Sequence, residues 1–207
     1  MPFRLPKEAK KILTAFQKAG FKGDAVGGCV RDMLTNRPTK DWDFTTNATP
    51  EQILSLFPDG FYDNTFGTVG IPIQSRPKDD QPLAETNIFE ITTFRSESGY
   101  SDHRHPDQVS WGKTLEEDLA RRDFTINALA YDGAQIIDLY KGKEDLESKI
   151  VRAVGDPHVR FSEDALRMMR AIRIAAQLQF TIEENTFAAI TKTAPLLTNI
   201  SPERIRD

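Results

Sequence analysis

Cysteine is almost absent from this chain. Cys29 is the only one in 207 residues, so no internal disulfide can form. Long apolar runs are missing too. No stretch of eighteen apolar residues occurs, and no membrane-spanning helix is expected. The opening Met-Pro-Phe-Arg-Leu-Pro-Lys has no apolar centre and does not read as a secretory signal. A cytoplasmic location is the expectation. There is no excess of basic charge either: Lys and Arg number 27 against 31 Asp and Glu, a net charge of −4. This argues against a protein that coats nucleic acid by charge alone. A local basic site remains open, since arginines cluster at 121–122 and at 160, 167, 170 and 173. No internal repeat is visible.

What is present suits a globular protein of one or two domains, with 39% hydrophobic and 28% charged residues. Residues 8–19 read as a helix, with Ala9, Ile12, Leu13 and Phe16 on one face and Gly20 as a stop. Residues 24–26 read as a strand running into Gly27-Gly28, followed by a helix at 30–35 and a strand at 40–45. Thr49-Pro50-Glu51-Gln52 is a helix start: Thr49 caps, Pro50 opens and Gln52 closes a capping box. Strands are expected at 68–74 and 88–94, joined by an exposed polar loop at 75–85. A second polar loop is expected at 95–108. Residues 115–131 read as mainly helical, 135–138 as a short strand, and 141–144 as a charged turn. From Phe161 onward the pattern is helical throughout. Asn199-Ile200-Ser201-Pro202 restarts a helix that reaches the last residue. The reading is α+β, with domains at 1–150 and 151–207.

The most informative segment is Lys40-Asp41-Trp42-Asp43-Phe44, shortly after Gly27-Gly28-Cys29-Val30-Arg31-Asp32. On a strand, residues two apart share a side, so Asp41 and Asp43 would present two carboxylates to one point. Mg²⁺ takes hard oxygen ligands and is held by one or two carboxylates plus substrate phosphates. Paired glycines let a backbone turn approach a phosphate. Glu90, within Ile88-Phe89-Glu90-Ile91-Thr92-Thr93-Phe94, is a candidate third acid. An acid amid an apolar strand is costly to bury unless paired or metal-bound. A solvent-facing Glu90 is the plainer alternative. Two metals held by three acids could activate a hydroxyl nucleophile and neutralise a leaving pyrophosphate.

Two further segments carry candidate chemistry. In Arg121-Arg122-Asp123-Phe124-Thr125-Ile126-Asn127-Ala128 the successive arginines cannot share one helix face. One is expected to point at a site, where a guanidinium fork suits phosphate oxygens. A surface ion-pair cluster with Glu116, Glu117 and Asp118 is the alternative. Asn127 could cap a helix or bond a sugar hydroxyl. In Glu163-Asp164-Ala165-Leu166-Arg167-Met168-Met169-Arg170-Ala171-Ile172-Arg173, an apolar stripe is expected at Ala165, Met168, Met169, Ile172 and Ala176. Asp164, Arg167, Arg170 and Arg173 would fan across the other face. Such a face is either an ordinary amphipathic surface or a base reader. In the latter, a carboxylate accepts from an exocyclic amine and a guanidinium donates to ring N or carbonyl O.

Taken in order, these motifs resemble the class II tRNA nucleotidyltransferases, the CCA-adding enzymes, whose core bacterial poly(A) polymerases share. The resemblance runs from about residue 20 to 204. It implies a head of the DNA polymerase beta nucleotidyltransferase type followed by a helical neck. It implies Mg²⁺ at Asp41 and Asp43, with Glu90 as third acid and a two-metal mechanism. It implies a nucleotide-binding set of Gly27, Gly28, Arg31, Asp32, Arg122, Asp123, Asn127, Asp164, Arg167, Arg170 and Arg173. Within that set, Gly28, Arg31 and Arg122 would contact the triphosphate, and Asp164 and Arg167 would select CTP and ATP without a nucleic-acid template. The implied partners are CTP, ATP and a tRNA lacking a complete CCA end, with no membrane. The loop at 95–108 matches a flexible loop thought to help switch from C to A addition. Two departures stand out. The insertion at 75–85 looks longer than the family's usual turn. Body and tail domains that would grip tRNA are absent, so the chain is expected to be the front portion of a longer protein.

Overall fold

The structure is a computed structural model that describes residues 5–39, 41–62, 67–73, 87–99, 108–112, 114–201 and 203. In chain order its elements are α1 (Lys7–Lys18), β1 (Gly23–Val26), α2 (Gly28–Leu34), β2 (Asp43–Thr46), α3 (Pro50–Leu56), β3 (Phe61–Tyr62), β4 (Thr68–Ile73) and β5 (Asn87–Thr93). Then come β6 (Arg95–Ser98), β7 (Gln108–Trp111), α4 (Leu115–Ala120), a 3₁₀ turn at Thr125–Asn127, β8 (Leu129–Tyr131) and β9 (Ile136–Asp138). The last are α5 (Gly142–Glu147), β10 (Ile150–Val151), α6 (Pro157–Glu163), α7 (Leu166–Leu178), β11 (Thr181–Ile182), α8 (Glu184–Thr193) and a 3₁₀ stretch at Ala194–Asn199. Among the described residues no helix is long and apolar enough to cross a membrane.

The chain divides into two compact units. The first holds Met1–Arg95, Trp111–Asp118 and Ala130–Ile137; the second holds Ser96–Ser110, Leu119–Leu129 and Asp138–Asp207. The first is built on a seven-stranded mixed sheet in the order β3-β4-β5-β2-β1-β8-β9. β2 and β5 run parallel, while β1 pairs antiparallel with both β2 and β8. Helix α1 buries Ala9, Ile12, Leu13 and Phe16, the stripe its spacing predicts. Fully burying a ring such as Phe16 contributes roughly 2–3 kcal/mol. The Thr49 capping box forms as its residues dictate: Thr49 Oγ1 accepts from Gln52 N, and Gln52 Oε1 from Thr49 N.

Several expectations change. The division at residue 150 is not the division by compactness. Segment 119–129 folds with the second unit because Thr125 N donates to Arg152 O (2.9 Å) and Val154 N to Asp123 O (3.1 Å). The helix expected over 115–131 stops at Ala120. Every residue from Asp123 to Tyr131 is buried, so that run has no polar face for a surface helix to show water. The ends of the expected loop at 95–108 are strands β6 and β7, paired as a two-stranded ribbon. The turn expected at 141–144 is the start of α5, with Lys141 in the left-handed conformation (φ 62°). The region after Phe161 is not wholly helical: β11 pairs in parallel with β10. The insertion at 75–85 and most of the last expected helix lie outside the described residues. The strands flanking the insertion do pair antiparallel, from Thr68↔Thr92 to Ile73↔Asn87.

One buried charge in the first unit yields a prediction. Asp24 lies on β1 and is only 4% exposed. Burial, reinforced by Asp132 and more weakly by Asp118 and Glu116, outweighs Lys22 and pushes its pKa from 3.8 up to about 6. The folded state therefore disfavours the ionised form. This destabilisation is fully present above the folded value and fades as pH falls below it. Asp24→Asn is expected to stabilise the protein at pH 8 by up to about 3 kcal/mol, at about 1.4 kcal/mol per pKa unit. The gain should vanish near pH 4. Thermal melts of both proteins across that range check it, and equal melting temperatures at pH 8 would count against a strained carboxylate.

Candidate active site

In the first unit, strand alternation places the acids. Trp42 and Phe44 of the β2 region and Phe89 of β5 are buried in one aromatic cluster, with ring centroids 5.8–6.4 Å apart. Side chains alternate along a strand, so the residues next to these rings point the other way. Those residues are Asp43, half-buried, and Glu90, exposed. Parallel pairing sets Asp43 directly beside Glu90. Asp41 lies just before β2 and is exposed. The ladder extends one residue past β2, since Glu90 N donates to Trp42 O at 3.1 Å. Among the described residues, no group of three or more His, Cys, Asp or Glu stands close enough together to hold a metal ion. What the geometry supplies is an adjacent pair of hard-oxygen donors, with Asp41 two residues along.

The glycine turn adjoins this strand. Gly27 sits at φ 79°, a conformation L side chains rarely adopt, and opens α2 at Gly28. Val26 is the register partner of Asp43, so the turn begins beside the acid. Cys29 Sγ donates to Val26 O (3.1 Å) and, at 3.8 Å, to Asp43 O, tying α2 to β2. Arg31 projects from α2 with its guanidinium against Asp32, whose Oδ1 accepts Nε at 2.9 Å and lies 2.8 Å from Nη2. Asp32 thus orients Arg31 in this structure.

The second unit carries the other candidates. Arg121 and Arg122 both follow α4 rather than lying on it. Asp123 is a buried hub. Its Oδ1 accepts Phe124 N (2.8 Å) and Asn127 Nδ2 (3.1 Å), and its Oδ2 accepts Arg170 Nε (2.8 Å) and meets Arg170 Nη2 at 2.6 Å. Burial alone would raise the carboxyl's pKa, but Arg170 and these hydrogen bonds hold it below the ordinary value. Asn127 is buried and serves Asp123. Asp164 is not on the helix of Arg167. It ends α6 in an extended conformation and accepts Leu166 N at 3.0 Å. Burial, the largest influence, raises its pKa despite Arg167 and Arg170 nearby.

The stripe expected on α7 is rotated. Met168, Ala171, Ile174 and Leu178 are buried together with Arg167, whereas Ile172 is exposed. Arg167 can be buried because its guanidinium is held by a carboxylate and two backbone carbonyls. Nη1 donates to Glu163 Oε2 (2.9 Å) and Arg160 O (3.3 Å), Nη2 to Arg121 O (3.1 Å), and Nε stands 4.0 Å from Asp164. Glu163 also accepts Arg160 Nη2 at 2.7 Å. The sequence reading missed Glu163 as the residue that anchors Arg167. Its i,i+4 spacing to Arg167 was the available signal. Arg170 and Arg173 are both solvent-exposed on α7.

Residues 25–152 match the family described as the poly A polymerase head domain. The chain belongs to that family. Residues 179–207 match a second one, described as "Probable RNA and SrmB- binding site of polymerase A". Among relatives of this poly A polymerase head family, a CCA-adding enzyme of Enterococcus faecalis is 50% identical over 200 residues, covering 96% of this chain and 47% of the relative. One from Lactobacillus helveticus is 49% identical over 202 residues, covering 97% and 48%. The Bacillus stearothermophilus CCA-adding enzyme, solved in complex with CTP, superposes with a TM-score of 0.81 at 39% identity, covering 96% of this chain and 46% of that one. A tRNA nucleotidyltransferase solved with a primer tRNA and an incoming ATP analogue superposes at 0.73 with 27% identity, covering 94% and 53%. The expected α+β head fold is therefore borne out. The chain spans about half the length of the curated relatives it matches.

Proposed function

We propose that this chain carries the catalytic and nucleotide-selecting part of a CCA-adding enzyme. It would transfer CMP and AMP from CTP and ATP to the 3′ end of a tRNA lacking a complete CCA. The observation that carries this reading is the side-by-side register of Asp43 and Glu90 next to the Gly27 turn. Relatives named CCA-adding enzymes, one of them solved with CTP, support it. The terminal hydroxyl of the RNA attacks the α-phosphate. A new P–O bond forms to that oxygen as its proton is released to water, the bond to the bridging oxygen breaks, and pyrophosphate leaves. Asp41 and Asp43 would hold Mg²⁺, with Glu90 as third acid, and their carboxylate oxygens suit a hard cation. When bound, the ion neutralises triphosphate charge and lowers the pKa of the attacking hydroxyl.

The remaining roles follow from this chain's own groups. Arg31, oriented by Asp32, offers a guanidinium edge to phosphate oxygens beside the Gly27-Gly28 turn, and Arg122 offers a second. Asp164 accepts from the exocyclic amine that cytosine and adenine share. Arg167, fixed by Glu163 and two carbonyls, keeps its cation 4.0 Å from the Asp164 carboxylate, and Arg170 and Arg173 supply donors. The test is Mg²⁺-dependent incorporation of labelled CTP and ATP, separately and together, into a tRNA ending before CCA. Addition of two C and then one A is the expected product. Only A, only C or a long A tract would replace this reading with a split-activity enzyme or a poly(A) polymerase. Nucleotide binding without any incorporation would restrict the chain to a binding module.

A further inference from the structure

The 123–127 segment of the second unit rests, through Thr125, on a polar network whose other members belong to none of the motifs. Asp145 of α5 is 6% exposed and accepts Thr125 Oγ1 at 2.7 Å. Its two oxygens also accept Arg152 Nε, at 3.2 and 3.1 Å. Arg152 Nη1 reaches Glu183 Oε1 at 3.4 Å. Glu183 caps α8 by accepting Thr186 N (2.8 Å) and Thr186 Oγ1 (2.9 Å), and that hydroxyl accepts Ala153 N (3.2 Å). The backbone is laced through the same residues. Thr125 N donates to Arg152 O, Val154 N to Asp123 O, and Phe124 bridges Ala153. On the other side, Gly142 lies so close to the Thr125 carbonyl that any β-carbon there would collide with it.

Thr125 is thus fixed by α5 and by the 152–154 segment, and it sits two residues from both Asp123 and Asn127. Asp123 is the group that orients Arg170. Arg170 is 45% exposed, and a long side chain with many rotamers takes its direction from the groups it bonds, Asp123 among them. We propose that Asp145 and Arg152 are positioning residues for nucleotide selection. They hold the 123–127 turn and, through Asp123, set the direction in which Arg170 presents its donors. This rests on the reading of Arg170 as a nucleotide contact. Neither residue need touch the nucleotide. A purely structural network would change stability alone, whereas a positioning network changes the ratio of affinities.

The experiment is calorimetric titration of CTP and UTP into the 207-residue chain and into Arg152→Lys and Thr125→Val. Each variant weakens the network at a different point while keeping the local volume. The expected result in both is a loss of about tenfold in CTP affinity with UTP affinity unchanged, alongside a cooperative melt. A lowered melting temperature with the CTP-to-UTP ratio intact in both variants overturns the proposal. If Arg152→Lys does not fold, Thr125→Val decides alone. An unmutated chain that binds CTP and UTP equally overturns the underlying base-reading assignment and this proposal with it. That outcome is distinct because it needs no mutation.

Discussion

Asp43→Asn is expected to reduce nucleotide incorporation at least about a thousand-fold, roughly 4 kcal/mol of transition-state stabilisation. The fold should be preserved. Asp43 contributes to β2 through its backbone, which pairs with Val26 on one side and Glu90 on the other. Neither ladder uses the carboxylate. The strand is anchored from the opposite face by Trp42 and Phe44 against Phe89, and the substitution leaves those rings untouched. Asparagine keeps the volume and one carbonyl oxygen but loses the charge. The change therefore isolates what a hard cation and a developing negative charge need. Asp41→Ala should behave alike, since Asp41 is exposed and outside the sheet. Single-turnover incorporation, paired with circular dichroism melts, is the measurement. Native-level transfer by a well-folded Asp43→Asn protein would falsify the catalytic assignment.

What could be read from the chain was what depends on local spacing. In the α1 stripe, the Thr49 capping box and the acids flanking Trp42, each residue lies within four positions of the next. Neighbours in sequence are enough to decide them. The misread parts depend on partners far away. The run from Asp123 to Tyr131 is buried all round because it lies between other segments, and its polar members Asp123, Thr125 and Asn127 read as a solvent face until their buried partners are known. The α7 stripe is rotated because Arg167, polar by type, is carried inside by Glu163 and the carbonyls of Arg121 and Arg160. No periodicity rule would bury it. Asp123 and Arg170 were both read as nucleotide contacts. Their pairing across 47 positions, and the consequent role of Asp123 as a holder, required the fold.

That pair carries the second large prediction. Arg170→Met is expected to destabilise the protein by about 2–3 kcal/mol at pH 7. This lies below the roughly 3–5 kcal/mol typical of breaking a fully buried pair, because Arg170 itself is half exposed. The cost arises at Asp123, which stays buried and, among the described residues, keeps Phe124 N and Asn127 Nδ2 but no cation bonded to it. The sign against pH follows. In the native protein the Asp123 carboxyl titrates below its ordinary 3.8: burial opposes ionisation, but Arg170 and the hydrogen bonds outweigh it. Its stabilisation is therefore present above that ordinary value and lost as pH falls through the folded one. With Arg170 gone, burial dominates and the pKa rises. The variant then regains stability on acidification while the native protein loses it. The gap in melting temperature should be roughly 5–10 °C at pH 7 for a chain of this size and should narrow below about pH 4. A gap that stays constant with pH would mean that Asp123 and Arg170 are not coupled by charge. Arg170→Lys, which keeps the cation but not the fork, should recover most of the stability while still losing preference for CTP over UTP. Stability and selectivity would then separate at one residue: charge opposite Asp123 holds the fold, and guanidinium geometry reads the base.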